Sequence, residues 1–308
     1  MLAMRIVSLI ASSTEIVCAL GLRDQLVGRS HECDYPESVK ELPVCTTPRF
    51  KTDGRSYMID DRVRAIVQES LSVYRIDAEL LEDLKPTHII TQSQCEVCAV
   101  SLKDVQDAAC DMFSSKPEII SLEPNELKDV YTDIMKVGTA CGVEAKAQEL
   151  IGKIKSGIEA ISSKAKDLKN KPRVALIEWV DPLMASGNWM PELVELAGGT
   201  DIFGKTGKHS SVMSWKEVAD ADPDVLILAP CGFAIPQTLE EMPMLMEKKD
   251  WAKLKSVKNK QVYVADGNQY FNRPGPRVLE SLQIVAEILH ADTFNFGLEN
   301  KGWQRFSS

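Results

Sequence analysis

The stretch EAKAQELIGKIKSGIEAISSKAKD, residues 144–167, decides how this chain is organised. Its apolar positions are Ala147, Leu150, Ile151, Ile154, Ile158 and Ile161, at offsets of 3, 4, 7, 11 and 14 from the first, which is one face of an α-helix. A helix of this length reaches roughly 36 Å at 1.5 Å per residue. That is long for a single layer of one domain and suits a strut between two lobes. On either side the sequence alternates strand and helix patterns, the signature of mostly parallel sheets covered by helices. The reading is therefore α/β, with two lobes of mostly parallel sheet joined by one long backbone helix. It places an N-terminal lobe over 1–123, bridging helices over 124–171, a C-terminal lobe over 172–292 and a C-terminal tail over 293–308.

Working outward, Met4–Leu9 alternates and is β-branched, as a first strand should be. Ser12 and Ser13 are expected to cap a helix over Thr14–Leu20, which Gly21 ends. Thr87–Thr91 and Glu118–Leu122 read as buried strands, with Leu102–Met112 helical between them. After Pro172 the alternation restarts with Arg173–Trp179, Asp224–Ala229 and Gln261–Ala265 as strands. Pro243 is expected to break the helical region Thr238–Met246. Arg277–Leu289 forms the last helix, and Phe294–Ser308 is a tail docked through Phe296 and Trp303.

The charge is −9 over 308 residues, with a pI near 5.2. An acidic balance argues against nucleic acid as a partner, because phosphate neutralisation needs clustered Lys and Arg. The densest basic run, Lys164 to Arg173, sits where the long helix should end and complements its dipole. Ile6–Leu22 is broken by Ser12, Ser13, Thr14 and Glu15, so the chain is not expected to be membrane-embedded. No basic n-region with an apolar core opens the sequence. The expected compartment is therefore the cytoplasm, or outside it if a signal has been removed. Eight cysteines in so long a chain fit reduced thiols rather than a disulfide scaffold.

In open α/β sheets, ligands bind outside the C-terminal strand ends. One loop cluster there holds His31, Glu32, Cys33 and Asp34 (HECDYP) together with Cys95 and Cys98. His31, Cys33, Cys95 and Cys98 could form a tetrahedral site for Zn²⁺ or another thiophilic metal. The other reading is reduced loop thiols, or a disulfide in an exported protein. A second cluster is aromatic: Trp179, Trp189, Tyr270 and Phe271, with Asp181 and Arg273 as directed polar groups. Few polar groups among aromatics fit a large, flat, partly apolar ligand. No GxSxG elbow, phosphate-binding GxxxxGK[ST] loop or HExxH helix is present, and the His31–Cys33 pair is a weak nucleophile–base candidate. The chain is read as a binding protein, not an enzyme.

Six segments carry a family resemblance. RIVSLIASSTEIVCALG (5–21), GRSHECDYP (28–36), LKPTHIIT (84–91), ASGNWMPELVELAGGTDIF (185–203), DPDVLILAP (222–230) and YFNRPGPRV (270–278) together resemble the class III periplasmic substrate-binding proteins of the cobalamin and iron-siderophore type. The match runs over about residues 4–291, and within the family it is similar to proteins labelled cobalamin-binding. The resemblance implies two Rossmann-like lobes of the helical-backbone metal-receptor type. It also implies a monomer that binds cobalamin, another corrinoid or a metal chelate between its lobes and hands it to an ABC importer permease. No resident cofactor is required; a corrinoid or metal ion would be the bound ligand. It implies that Arg273 and the aromatics near it face the ligand; with the strand-end loops chosen above, the expected ligand-facing residues are Ser12, Ser13, His31, Glu32, Asp34, Gln92, Cys95, Cys98, Trp179, Asp181, Asn188, Trp189, Ser211, Phe271 and Arg273. Gln92 and Ser211 stand where the family's cobalamin binders are expected to carry tryptophans.

Overall fold

The computed structural model describes residues 3–68, 73–93, 105 and 116–307. The contacts divide them into two units. Unit 1 comprises Met1–Asp53, Asp61–Pro124 and Lys128–Gly152; unit 2 comprises Gly54–Asp60, Asn125–Leu127 and Lys153–Ser308.

Unit 1 is built on four parallel strands in the order β2-β1-β5-β6. They are β1 (Ile6–Ser8), β2 (Leu26–Arg29), β5 (His88–Gln92) and β6 (Glu118–Leu122). The near-continuous apolar runs in β1 and β5 are what a parallel strand covered on both faces requires. Strands β3 (Thr46–Pro48) and β4 (Tyr74–Ile76) form a separate antiparallel ribbon. Helix α1 (Ala11–Ala19) starts earlier than expected. Ile10, in extended conformation, is its N-cap and offers no side-chain bond, so Ser12 and Ser13 lie in the first turn rather than capping it. At the other end Gly21 takes φ +72°, and the Gly21 and Leu22 N–H groups close on the Cys18 and Val17 carbonyls. Helices α2 (Ser56–Gln68), α3 (Ala78–Leu84) and α4 (Leu127–Ala140) follow.

The long helix is α5, Glu144–Lys166. Ala147, Ile154, Ile158 and Ile161 are all buried, as the spacing predicts. Two glycines allow close packing against its neighbours. A Cβ on Gly138 would lie 2.5 Å from the Ala147 Cβ, and one on Gly157 would lie 2.6 Å from a Leu279 methyl.

Unit 2 carries the sheet β12-β11-β10-β7-β8, with β9 also paired to β7. Strands β7 (Arg173–Trp179), β10 (Val225–Leu228) and β11 (Val262–Ala265) are parallel and form its buried centre. The short β8 (Met184–Ala185) runs antiparallel to β7, and β9 (Thr200–Asp201) parallel to it. Helices α6 (Met190–Leu196), α7 (Trp215–Ala221), α8 (Ile235–Met246) and α9 (Val278–Leu289) cover the sheet.

Two expectations are corrected in unit 2. Helix α8 runs unbroken through Pro243. The missing N–H costs a single backbone bond, and Met242 and Leu245 hold that segment in the core at 1% exposure each. The supposed tail is partly sheet: β12 (Trp303–Arg305) pairs antiparallel with β11. Buried Glu287 anchors it by accepting from the Trp303 indole at 2.7 Å and from the Phe296 N–H.

The first turn of α2 belongs to unit 2. Glu241 on α8, 1% exposed, accepts from Ser56 N at 3.2 Å and from Ser56 Oγ at 2.5 Å, and Arg55 donates to the Glu240 carbonyl. A carboxylate from elsewhere in the chain thus caps the helix, where the dipole favours negative charge. Among the described residues, no helix is long and apolar enough to cross a membrane.

Candidate functional site

In unit 1 the parallel register puts the C-terminal ends of β1, β2, β5 and β6 on one edge. Small polar side chains interlock there. Ser8 Oγ lies 2.6 Å from Ser13 Oγ and accepts from Thr14 Oγ1 at 2.7 Å, and Thr14 Oγ1 is also 2.9 Å from Cys33 Sγ. Ser13 Oγ bonds back to the Ile10 carbonyl at 3.0 Å. Hydroxyls on α1 thereby fix the end of β1 and the loop after β2 in one buried network. Ser12 is 2% exposed, and its hydroxyl has no partner among the described residues.

His31 is held by Thr46, at 2.8 Å from Nδ1 and 3.1 Å from the backbone N–H. Its ring packs on Tyr74 at 5.0 Å, and the Tyr74 hydroxyl donates to Glu32 Oε1 at 2.9 Å. Burial, with Arg29 as a smaller cause, pushes the His31 pKa down to about 4. Asp34 is partly buried in the same loop, and Gln92 ends β5 at 4% exposure.

In unit 2 the ends of β7, β10 and β11 carry rings and tight backbone contacts. Trp179 is half-buried, meets Phe233 edge-on at 5.2 Å and donates its indole N–H to the Asp181 carbonyl at 3.1 Å. Glu178 Oε2 accepts from Gly187 N at 3.1 Å and Ser210 Oγ at 2.7 Å. Asn188, at φ +54°, donates to the Lys208 carbonyl at 2.6 Å. These bonds clamp the loop before α6 to residues 207–211. Asp201 accepts from Ser186 Oγ at 2.6 Å and from two backbone N–H groups, and burial raises its pKa.

Beyond β11, one π-helical turn spans Gly267–Phe271, capped by Asp266. A Cβ on Gly267 would sit 2.0 Å from the Pro230 carbonyl oxygen, so only glycine fits where the loops after β10 and β11 meet. Arg273 is 4% exposed and donates to Asn268 Oδ1 at 2.9 Å. Arg277 bonds Gln269 Oε1 at 3.0 Å and stacks over the Tyr270 ring at 5.2 Å.

The expected residues therefore separate. In unit 1, Ser13, His31, Glu32 and Cys33 gather at one sheet edge. Cys33 is 1% exposed and engaged by Thr14, and among the described residues no three His, Cys, Asp or Glu groups cluster as metal ligands. Cys95 and Cys98 lie outside the described residues. In unit 2, Trp179, Asp181, Asn188 and Ser211 are partly or fully open. Trp189 is 5% exposed with an unpartnered indole N–H, Phe271 is 1% exposed, and Arg273 is buried. Those three back the surface rather than form it. Sequence reasoning missed Thr46, Tyr74 and Glu178. Each lies on a strand whose pattern advertises packing alone.

Comparison with known proteins sets this geometry in context. An uncharacterised ABC transporter substrate-binding lipoprotein of Bacillus subtilis is 26% identical over 302 residues, covering 94% of this chain and 81% of that protein. A vitamin B12-binding protein of Vibrio campbellii is 26% identical over 291 residues, covering 92% and 89%. The crystal structure of a periplasmic heme-binding protein from Pseudomonas aeruginosa aligns with a TM-score of 0.73 at 16% identity, covering 99% of this chain and 98% of that one. The expected two-lobed α/β fold is thereby confirmed. The expected cytoplasmic location is overturned, because the relatives are a lipoprotein and vitamin-binding proteins of a periplasmic family. With residues 6–268 matching the family model, the chain belongs to the periplasmic binding protein family, whose members are substrate-binding components of transport rather than enzymes.

Proposed function

We propose that this protein captures a corrinoid, cobalamin or a close relative, and delivers it to the permease of an ABC importer. The observation that carries the reading is the half-buried Trp179, braced edge-on by Phe233 at the end of β7. A braced indole offers a rigid, flat, apolar surface to a macrocycle and loses little entropy on binding. The half-buried Tyr270 under Arg277 adds a second ring on the same loops. The vitamin B12-binding relatives, similar over nearly the whole chain, favour a corrinoid among the metal chelates that the family carries.

The test is retention. Purified protein is mixed with aquocobalamin, diaquocobinamide or hemin and passed over a gel-filtration column, and melting is followed in parallel. The corrinoids are expected to co-elute at one equivalent. At a hundredfold excess over Kd they should stabilise the fold by about 2.7 kcal/mol. Retention of hemin alone, or of none of the three, overturns the proposal.

A further inference from the structure

The end of the long helix accounts for only part of the basic run Lys164–Arg173. Lys171 Nζ donates to the Ala165 and Lys166 carbonyls at 2.9 and 3.3 Å and so closes α5. The Lys166 and Lys169 ammonium groups are exposed and take no part in that cap. A second basic run, Glu247–Lys260, holds six lysines against Glu247 and Asp250, in a chain whose net charge is −9. The fold of unit 2 brings the two runs together. Val174 is the register partner of Val225, and Leu226 that of Val262, so Arg173, Asp224 and Gln261 lie side by side at the starts of β7, β10 and β11. Asp224 joins the runs directly: it accepts from the Arg173 N–H at 2.9 Å and pairs with Lys255 Nζ. An open cleft of about 400 Å³ between them is lined by Asn170, Pro172, Asp224, Lys255, Asn259 and Gln261. This edge of the sheet is the opposite one from Trp179 and the turn Gly267–Phe271.

Most of the charge here is unanswered. All of the eleven cations in the two runs except Lys248 are exposed. Asp224 and Asp250 are taken by Lys255 and Lys253. Lys166, Lys169, Lys249, Lys258 and Lys260 enter no ion pair among the described residues. Ten of the eleven are lysines, hydrated point charges on flexible stems that lack the fork with which arginine reads a single phosphate. The one arginine, Arg173, turns its guanidinium to the Ala221 carbonyl at 2.7 Å. With no buried cation to define it, the edge is not built around one particular anion. It suits a surface that carries many negative charges at once, each lysine adding attraction within a Debye length of roughly 10 Å. The acidic remainder of the chain is repelled by the same surface, which fixes the orientation.

We propose that this edge of unit 2 is a docking face for an anionic phospholipid bilayer. A substrate-binding component of transport works beside a membrane, so lipid headgroups are the polyanion at hand. Docked in this way, the ring-bearing strand ends of unit 2 point away from the lipid and stay open to solution. The inference holds whichever ligand the protein carries.

The test is flotation of the full chain with unilamellar vesicles on a density gradient. Phosphatidylcholine vesicles containing about three parts in ten of phosphatidylglycerol are expected to carry the protein upward, and phosphatidylcholine alone to leave it behind. Raising the salt from about 0.05 M to about 0.5 M should release it. Both arms use the unaltered protein. The combined variant Lys166→Gln, Lys169→Gln, Lys258→Gln and Lys260→Gln should bind the anionic vesicles roughly a hundredfold more weakly or worse, at about fivefold per lysine, with melting unchanged. Lys51→Gln, Lys116→Gln, Lys205→Gln and Lys301→Gln make the same change in net charge at exposed positions outside the two runs and should weaken binding far less. Equal loss in the two combined variants would reveal an effect of net charge alone and overturns the docking face. Binding that ignores lipid charge overturns it too, as does failure to bind either vesicle, whether or not a DNA duplex is retained instead.

Discussion

Unit 1 and unit 2 end their parallel strands in opposite chemistry. Unit 1 presents short polar groups whose bonds are mostly satisfied internally: Ser8, Ser13 and Thr14 with Cys33, and His31 with Thr46. Unit 2 presents rings, Trp179 with Phe233 and Tyr270 with Arg277, on loops packed so tightly that one position admits glycine alone. Binding free energy should follow that chemistry. Apolar area contributes in proportion to what is covered, whereas a polar group already bonded within the protein gains little by exchanging partners. The rings of unit 2 should therefore gain more on covering an apolar ligand than the hydroxyls of unit 1 would on meeting a polar one.

Four measurements test that contrast. The largest effect is expected from Gly267→Ala, which forces a methyl group onto the Pro230 carbonyl oxygen. It should cost about 3 kcal/mol or more, seen as a lower denaturant midpoint with hydrogen-exchange protection lost first in unit 2. An unchanged midpoint would mean that the loops after β10 and β11 are not packed as described. Trp179→Ala comes next. It should weaken cobinamide binding roughly 10- to 100-fold, or about 1.4–2.8 kcal/mol, with little change in melting. If melting falls and affinity does not, Trp179 belongs to the core and the contrast between the units collapses.

Asp133→Asn probes unit 1 away from the site. Burial, chiefly, raises the Asp133 pKa to about 7, against a smaller opposing bond from the Glu123 N–H. A folded-state pKa above the unfolded value means the stabilising contribution is complete below pH 4. It is then lost as pH rises through 7. The asparagine variant should therefore match the parent near pH 4 and be the more stable of the two at pH 8. Equal stability at pH 8 would place Asp133 in contact with water. Ser13→Ala should have the smallest effect, below about 1 kcal/mol in stability. A loss of cobinamide binding greater than that of Trp179→Ala would reverse that ranking of rings over hydroxyls.

Periodicity made the architecture legible. The 3-4-7-11-14 spacing in α5 and the apolar runs THIIT and DVLILA each commit a segment to one face or to a fully covered strand. Features that depend on a distant partner were not legible. Ser12 and Ser13 look like caps, yet Ile10 already occupies that position. Nothing local announces that Trp303–Arg305 will complete a sheet, because the edge it covers is formed by β11, some forty residues earlier.

The site followed the same rule. Loops at strand ends could be picked out, but not the direction of the side chains on them. Trp189 turns inward while Trp179 remains half-open, although both were expected to face the ligand. Tyr74, 42 residues from the Glu32 it bonds, carries no mark in its own segment beyond strand propensity.

The carboxylate of Glu241 has a consequence for how the protein is made. It is buried against Ser56, at a separation of 185 residues, so unit 2 includes a segment synthesised long before the rest of it. Cutting the gene between residues 152 and 153 would yield a C-terminal fragment with an uncapped charge in its interior. Such a charge costs several kcal/mol. The two halves are thus one folding problem, and co-expression of the pieces, rather than either alone, is the form in which a split version should recover its native shape.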